Sequence, residues 1–140
     1  MTTGAQLEFQ EPQRQKRILS AGHNTGLLRV RNSLIEAAGY HVVTTKESGL
    51  LLDLLAKQHF DAVVLCSSIP AHIQENIARN VRALHPKVPL IVICSQDDEP
   101  RLRALSHATI LAEHGVSQPL LEAISRLAGD SENGNLSGAS

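Results

Sequence analysis

Five short apolar runs, separated by segments of helix length, restrict most strongly how this chain can fold. They are Arg17 to Ala21, His41 to Thr45, Ala62 to Leu65, Leu90 to Ile93 and Thr109 to Ala112. Such alternation is typical of βα units and predicts a parallel sheet with helices on both faces. Right-handed crossovers leave few topologies, and the doubly wound strand order 2-1-3-4-5 is the one we expect. The predicted fold class is therefore α/β, with five βα units.

Caps and apolar stripes place a helix in each intervening segment. The first helix is expected to follow Asn24 or Thr25 and to end at Gly39, which suits a left-handed C-terminal cap. The expected starts of the others are Ser48, the residue after Pro70, the residue after Asp98, and Ser117. The buried stripe of the first helix is predicted as Leu27, Val30, Leu34, Ile35 and Ala38, and that of the third as Ile73, Ile77, Val81 and Leu84.

The length and charge of the chain exclude several classes of function. The 140 residues suit one domain, which we expect at residues 16–128, between polar tails at residues 1–15 and 129–140. Thirteen basic and 14 acidic residues create no net field for nucleic acid or an anionic membrane. No apolar run approaches the ~20 residues of a membrane span, and the first residues lack a secretory signal. We therefore expect a cytoplasmic protein whose two cysteines are thiols.

Three segments resemble the receiver domain of bacterial response regulators. They are RNSLIEAAGYHVVTT at residues 31–45, DAVVLCSSIP at residues 61–70, and KVPLIVICS at residues 87–95. The second has a proline four residues after Cys66, as receivers have after their phosphoacceptor. The resemblance covers roughly Lys16 to Ala128 and implies a flavodoxin-like fold in a two-component phosphorelay pathway.

The same resemblance implies that the phosphorylation site has lost its chemistry. The acidic pair of a receiver falls on Gly22 and His23, and the phosphoacceptor aspartate falls on Cys66. The strand-four hydroxyl falls on Cys94, beside Ser95, and the strand-five lysine on His114. Mg²⁺ requires oxygen ligands, and phosphoryl transfer requires the metal and a fixed cation. We therefore expect a degenerate receiver, or pseudo-receiver, that is not phosphorylated, binds no cofactor and is not an enzyme.

The usual receiver switch is also missing. An aromatic residue normally stands three positions before the lysine, and here that position is Leu111. Without the aromatic side chain and the hydroxyl, the chain lacks the two side chains that rearrange when a receiver is phosphorylated.

Three interpretations of the altered pocket remain open. The thiols of Cys66 and Cys94 could simply be packed as small apolar groups. They could instead form a reversible disulfide, because the ends of neighbouring strands can approach closely enough. With His23 and His114 they could also form a Cys₂His₂ metal site, although no close ligand pair in the sequence supports it.

No Ser/His/Asp arrangement or glycine-rich phosphate loop indicates an enzyme. Asp97, Asp98 and Glu99 are expected to cap helix four.

An interaction surface is the remaining functional prediction. In receivers, helix four, strand five and helix five form a face through which the domain dimerises or meets effectors. That face here is expected to present Arg101, Arg103, His107, Leu111, Glu122 and Arg126. The resemblance thus implies a stand-alone receiver-like module that acts by protein–protein interaction, with an unidentified signalling protein or a second copy as its partner. A thiol redox or metal-responsive sensor is the alternative.

Overall fold

A computed structural model describes residues 15–130, so most of both predicted tails lies outside the described residues. Its sheet has five parallel strands in the order β2-β1-β3-β4-β5. The strands are β1 (Arg17–Ala21), β2 (His41–Thr45), β3 (Ala62–Leu65), β4 (Leu90–Cys94) and β5 (Ala108–Leu111). The predicted fold class and strand order are confirmed.

Five helices connect and follow the strands. They are α1 (Thr25–Ala37), α2 (Leu51–Lys57), α3 (Ala71–Leu84), α4 (Glu99–Arg103) and α5 (Ser117–Ala128). A 3₁₀ turn at Ser48–Leu50 leads into α2, and another at Ala112–His114 follows β5. That second turn ends β5 one residue before the predicted Ala112. Within residues 15–130, no helix is long and apolar enough to cross a membrane.

The core consists of two layers, one on each face of the sheet. One layer packs β-strand residues against α2, α3 and α4, with Leu51, Ile77 and Leu102 fully or nearly fully buried. The other packs them against α1 and α5, with Leu28 and Ile124 buried. Because successive strand side chains alternate between faces, β1, β3 and β4 contribute buried residues to both layers, whereas the buried residue of β5, Ile110, lies in the second layer.

The apolar stripe predicted for α1 is partly wrong. The buried residues are Leu28, Arg31 and Ile35, whereas the side chain of Val30 is 61% exposed. The prediction followed the aliphatic residues and passed over an arginine that occupies a core-facing position. On α3, Leu84 is likewise 63% exposed, because it is the last residue of the helix.

The predicted ends of α1 are confirmed. The Asn24 side chain accepts a hydrogen bond from the backbone N–H of Leu27 at 2.9 Å, as an N-cap residue does. Gly39 has a φ of 102°, which a residue with a side chain adopts only with strain.

Two contacts tie the first and last described residues to the domain. The side-chain amide of Gln15 donates to the carbonyl of Gly39 at 2.9 Å. The hydroxyl of Tyr40 donates to the carbonyl of Gly129 at 3.0 Å. Domain contacts therefore extend one residue beyond each predicted boundary.

Candidate functional site

The carboxyl edge of the sheet brings Gly22 against Cys66. A Cβ atom added to Gly22 would lie 2.8 Å from Cys66 Cβ and 3.1 Å from the side chain of Leu28. Real Cβ atoms do not approach so closely, so residue 22 has no room for a side chain in this arrangement. A carboxylate at this position would require the backbone or Cys66 to move.

A buried arginine from α1 reaches the same place. One terminal nitrogen of Arg31, Nη1, lies 3.1 Å from Cys66 Sγ and 3.2 Å from Ser67 Oγ. Arg31 is only 8% exposed. The cation therefore stands beside the residue that takes the phosphoacceptor position in the receiver resemblance. The sequence contained a signal for it, because Arg31 is three residues after Leu28 and four before Ile35, the spacing of one helix face.

Gln74, which the sequence interpretation missed, joins the ends of two strands. Its side-chain amide donates to the carbonyl of Cys66 and to that of Ile93, both at 3.0 Å. Gln74 is 1% exposed, so these bonds satisfy carbonyls that water does not reach. The amide holds β3 and β4 together from α3.

Ser68 joins the loop after β1 to the loop after β3. Its hydroxyl oxygen accepts the backbone N–H of His23 at 2.8 Å and that of Asn24 at 3.1 Å. The His23 side chain itself is exposed. His23 is therefore held at the edge by its backbone, and its imidazole is not directed into the core.

Cys94 lies apart from Cys66 in the other core layer. Both thiols are free and buried, Cys66 among the residues that pack against α1 and α5, and Cys94 among those that pack against α2, α3 and α4. Burial raises the pKa of the Cys94 thiol to about 11, and the negative charges of Glu99, Asp98 and Glu113 contribute to the shift. Nothing in this arrangement supports a disulfide switch, because the two thiols pack in different layers.

The candidate metal ligands are not brought together. His23 and His114 are exposed on separate loops, His114 at the end of the 3₁₀ turn after β5. Across residues 15–130, no three His, Cys, Asp or Glu side chains are grouped so that they could hold a metal ion. These four residues lie at or shortly after the carboxyl ends of β1, β3, β4 and β5, but sequence spacing does not specify where their side chains point.

Asp98 and Glu99 stand at the start of α4 as predicted, but they do not form a side-chain capping hydrogen bond. Asp98 stands at the N-cap position, but its side chain makes no capping hydrogen bond. Its carboxylate accepts from the hydroxyl of Ser95 at 2.9 Å and from Arg101 at 2.9 Å. Glu99 instead accepts from Thr109 Oγ1 at 2.7 Å and from Arg103, whose hydrogen bonds lower the pKa of Glu99.

Comparison with known proteins identifies the fold. No protein-family model matches the chain, and no curated protein matches it. Solved receiver structures do match it. The receiver domain of a sensor histidine kinase from Pseudomonas aeruginosa PAO1, with magnesium coordinated in its active-site cleft, is 18% identical, with a TM-score of 0.72 over 84% of this chain and 100% of its own.

Two further structures agree. A CheY-like response regulator receiver domain protein from Methanospirillum hungatei JF-1 is 22% identical, with a TM-score of 0.65 over 81% of this chain and 93% of its own. The response regulator TrrA from Thermotoga maritima, in complex with Mg²⁺ and beryllium fluoride, is 16% identical, with a TM-score of 0.71 over 80% of this chain and 98% of its own. The chain has the fold of response regulator receiver domains. At these identities the similarity establishes the fold.

On the α4-β5-α5 face of the receiver fold, two predicted arginines are already paired. Arg101 binds Glu75 at 2.6 Å, and Arg103 binds both carboxylate oxygens of Glu99. Leu111 is half-buried, and Glu122 accepts from Gln118. Arg126 has no ion pair with any described residue and lines a groove of about 320 Å³ between β5 and α5.

His107 on that face has a structural role. Its backbone N–H donates to the carbonyl of Leu90 at 2.8 Å, and its ring Nδ1 accepts the Leu90 N–H at 3.0 Å. Burial, and to a lesser degree the positive charge of Arg82, lowers the pKa of His107. A protonated ring could not accept from Leu90, so the neutral form fits this site.

We predict that His107 makes folding stability depend on pH. Because its pKa is lowered in the folded state, its contribution is present above the ordinary histidine pKa of about 6.5 and is lost as the pH falls below that value. The free energy of unfolding should decrease on acidification, with a His107 share of no more than about 1 kcal/mol because the ring is partly exposed.

Urea unfolding at several pH values tests this prediction. His107→Asn keeps an acceptor for Leu90 but cannot titrate, so it should reduce the slope of stability against pH. His72→Asn, on the exposed surface of α3, is the matched control. Equal slopes for the wild type and H107N would contradict the assignment.

We also predict that the Cys94 thiol is unreactive in the folded protein. A pKa of about 11 in place of 9.0 leaves about a hundredfold less thiolate near neutral pH, and thiolate is the reactive form. A Cys66→Ser variant, in which Cys94 is the remaining cysteine, should react with iodoacetamide at least about a hundredfold more slowly when folded than in urea.

A surface cysteine introduced at Ser33, in a chain lacking both natural cysteines, serves as the accessible control because Ser33 is exposed. Its alkylation rate should change little between the folded and unfolded states. If Cys94 in the folded protein reacted as fast as this control, the assigned burial and pKa would be wrong.

Proposed function

We propose that this chain is a receiver-like signalling module that is not phosphorylated and acts through protein–protein contact in the cytoplasm. The observation that carries the proposal is the pairing of Arg31 with Cys66 and Ser67 at the carboxyl edge. A phosphorylated receiver needs oxygen ligands for a metal at that edge. In this chain the Arg31 guanidinium lies beside Cys66 at that edge, and Gly22 has no room for a carboxylate.

The fixed loops support the same proposal. Ser68 holds the β1–α1 loop, and Gln74 holds the ends of β3 and β4. Cys94, at the position of the switch hydroxyl, is buried and has a raised pKa. A receiver switch needs two arrangements of these elements. Their contacts favour one arrangement, which suits a constitutive binding module.

The partner surface that we propose is the α4-β5-α5 face. Because Arg101 and Arg103 are paired within the chain, a partner would gain little from them. Arg126 is exposed, and the groove that it lines also contains Pro119 and Ala123. A second copy of the chain or another signalling protein could bind there. The buried thiols and separated histidines give the redox or metal sensor no comparable support.

We predict that acetyl phosphate with Mg²⁺ leaves the mass of the protein unchanged. Mass spectrometry of the intact chain is the measurement, with an authentic receiver domain as the positive control. Cys66→Asp is the matched variant and should also remain unmodified, because Gly22 and His23 supply no carboxylate for the metal. A stable gain of one phosphoryl group by the wild type would refute the non-phosphorylated assignment.

For the homodimer version of the proposal, we predict self-association through the groove at Arg126. Sedimentation velocity over a wide concentration range should show a dimer. Reversing the charge with Arg126→Glu should weaken its Kd by about tenfold or more. Arg29→Glu, on exposed α1, should leave the Kd unchanged. A strict monomer at the highest concentration would exclude the homodimer and leave a different protein as the partner.

A further inference from the structure

Arg31 is a buried cation without an anionic partner. It is 8% exposed, and no carboxylate among residues 15–130 lies within ion-pair distance of it. By contrast, Arg79, Arg101 and Arg103 are all paired with carboxylates, although their side chains are more than half exposed. Leaving a buried charge unpaired is costly. The arginine therefore has a position that an anion would stabilise.

Most of the hydrogen-bonding capacity of this guanidinium is unused. Of its five N–H groups, the two on Nη1 point to Cys66 Sγ and Ser67 Oγ. The three on Nε and Nη2 have no acceptor in the described part of the chain. The fully buried side-chain polar atoms without a partner there are Ser20 Oγ and Asn32 Oδ1, so the free Arg31 nitrogens keep some contact with solvent. A solute that reaches them could be bound.

The surroundings of Arg31 suit an anion. Cys66 and Ser67 both lie at Nη1, so they leave the opposite edge of the guanidinium, formed by Nε–H and Nη2–H, without an acceptor. The two positions that correspond to the acidic pair of a receiver are Gly22 and His23, so they supply no carboxylate that would repel an anion. Ser68 and Gln74 hold the neighbouring loop backbones at this edge of the sheet, so the surroundings of Arg31 are already ordered. The polarity of the edge is thus opposite to that of a Mg²⁺ site.

We propose that the free edge of the Arg31 guanidinium binds a phosphate-type oxyanion non-covalently and without a metal. The Nε–H and Nη2–H groups on that edge supply a planar fork for two oxygens. A phosphate group carries close to two negative charges near neutral pH, so it should stabilise the unpaired guanidinium more than a singly charged carboxylate does. The site goes beyond the proposed protein contact and does not depend on it.

The probe is inorganic phosphate in EDTA, compared with sodium chloride at equal ionic strength. We expect the side-chain Nε–H resonance of Arg31 to shift saturably with phosphate, with a Kd in the millimolar range. At about ten times the Kd, the unfolding temperature should rise by about 3 to 6 °C. Acetate should bind more weakly. Absence of a saturable shift up to about 50 mM phosphate would overturn the proposal.

Variants separate this site from general anion effects. Arg31→Gln should abolish the phosphate-dependent rise in unfolding temperature, whereas Arg29→Gln on the same helix should retain it. A rise of equal size in R31Q would place the anion elsewhere and overturn the proposal, and acetate binding as tight as phosphate would overturn the assigned ligand class. If R31Q does not fold, Arg31→Lys keeps the positive charge but lacks the planar fork, and it should raise the Kd for phosphate severalfold. An unchanged Kd in R31K would count against binding by the two-oxygen fork.

Discussion

The pairing of Arg31 with Cys66 and Ser67 is the contact on which the carboxyl edge of this sheet depends. Arg31, a residue that is 8% exposed, places its Nη1 atom 3.1 Å from the Cys66 thiol, where strands β1 and β3 end. The close approach of Gly22 to Cys66 leaves no volume for another side chain there. Gln74 and Ser68 then fix the flanking carbonyls and amides. Packing and hydrogen bonds therefore order the edge that parallel α/β sheets commonly use for ligands.

This arrangement bears on what the receiver fold can do. A receiver that is phosphorylated concentrates negative charge at the edge and neutralises it with a metal. The chain described here has positive charge at the same edge and no grouped metal ligands among residues 15–130. After β4, the Asp98 carboxylate accepts hydrogen bonds from Ser95 and Arg101, and the Glu99 carboxylate accepts from Arg103 and Thr109. We infer that regulation by covalent phosphorylation has been replaced by constitutive binding, with a non-covalent anion site as the further proposal.

The fold could be predicted from the sequence because strand alternation, caps and helix ends are local signals. Asn24 and Gly39 delimit α1 as expected, and the strand order follows from handedness rules. The site could be predicted only in part. Spacing placed Cys66 and Cys94 at strand ends, but which face each thiol occupies depends on the pleat and on packing between elements. Arg31 and Gln74 were missed because the predicted helix stripes were built from aliphatic residues alone.

The most direct test of this account is a Mg²⁺ titration followed by the backbone amide resonances of Gly22, His23 and Cys66. Because the edge presents an arginine and no carboxylate to a metal, we predict no saturable shift at these amides beyond the effect of ionic strength. An authentic receiver domain provides the positive comparison. Saturable Mg²⁺-dependent shifts at Cys66 and its neighbours would show that the edge still forms a metal site and would contradict the account.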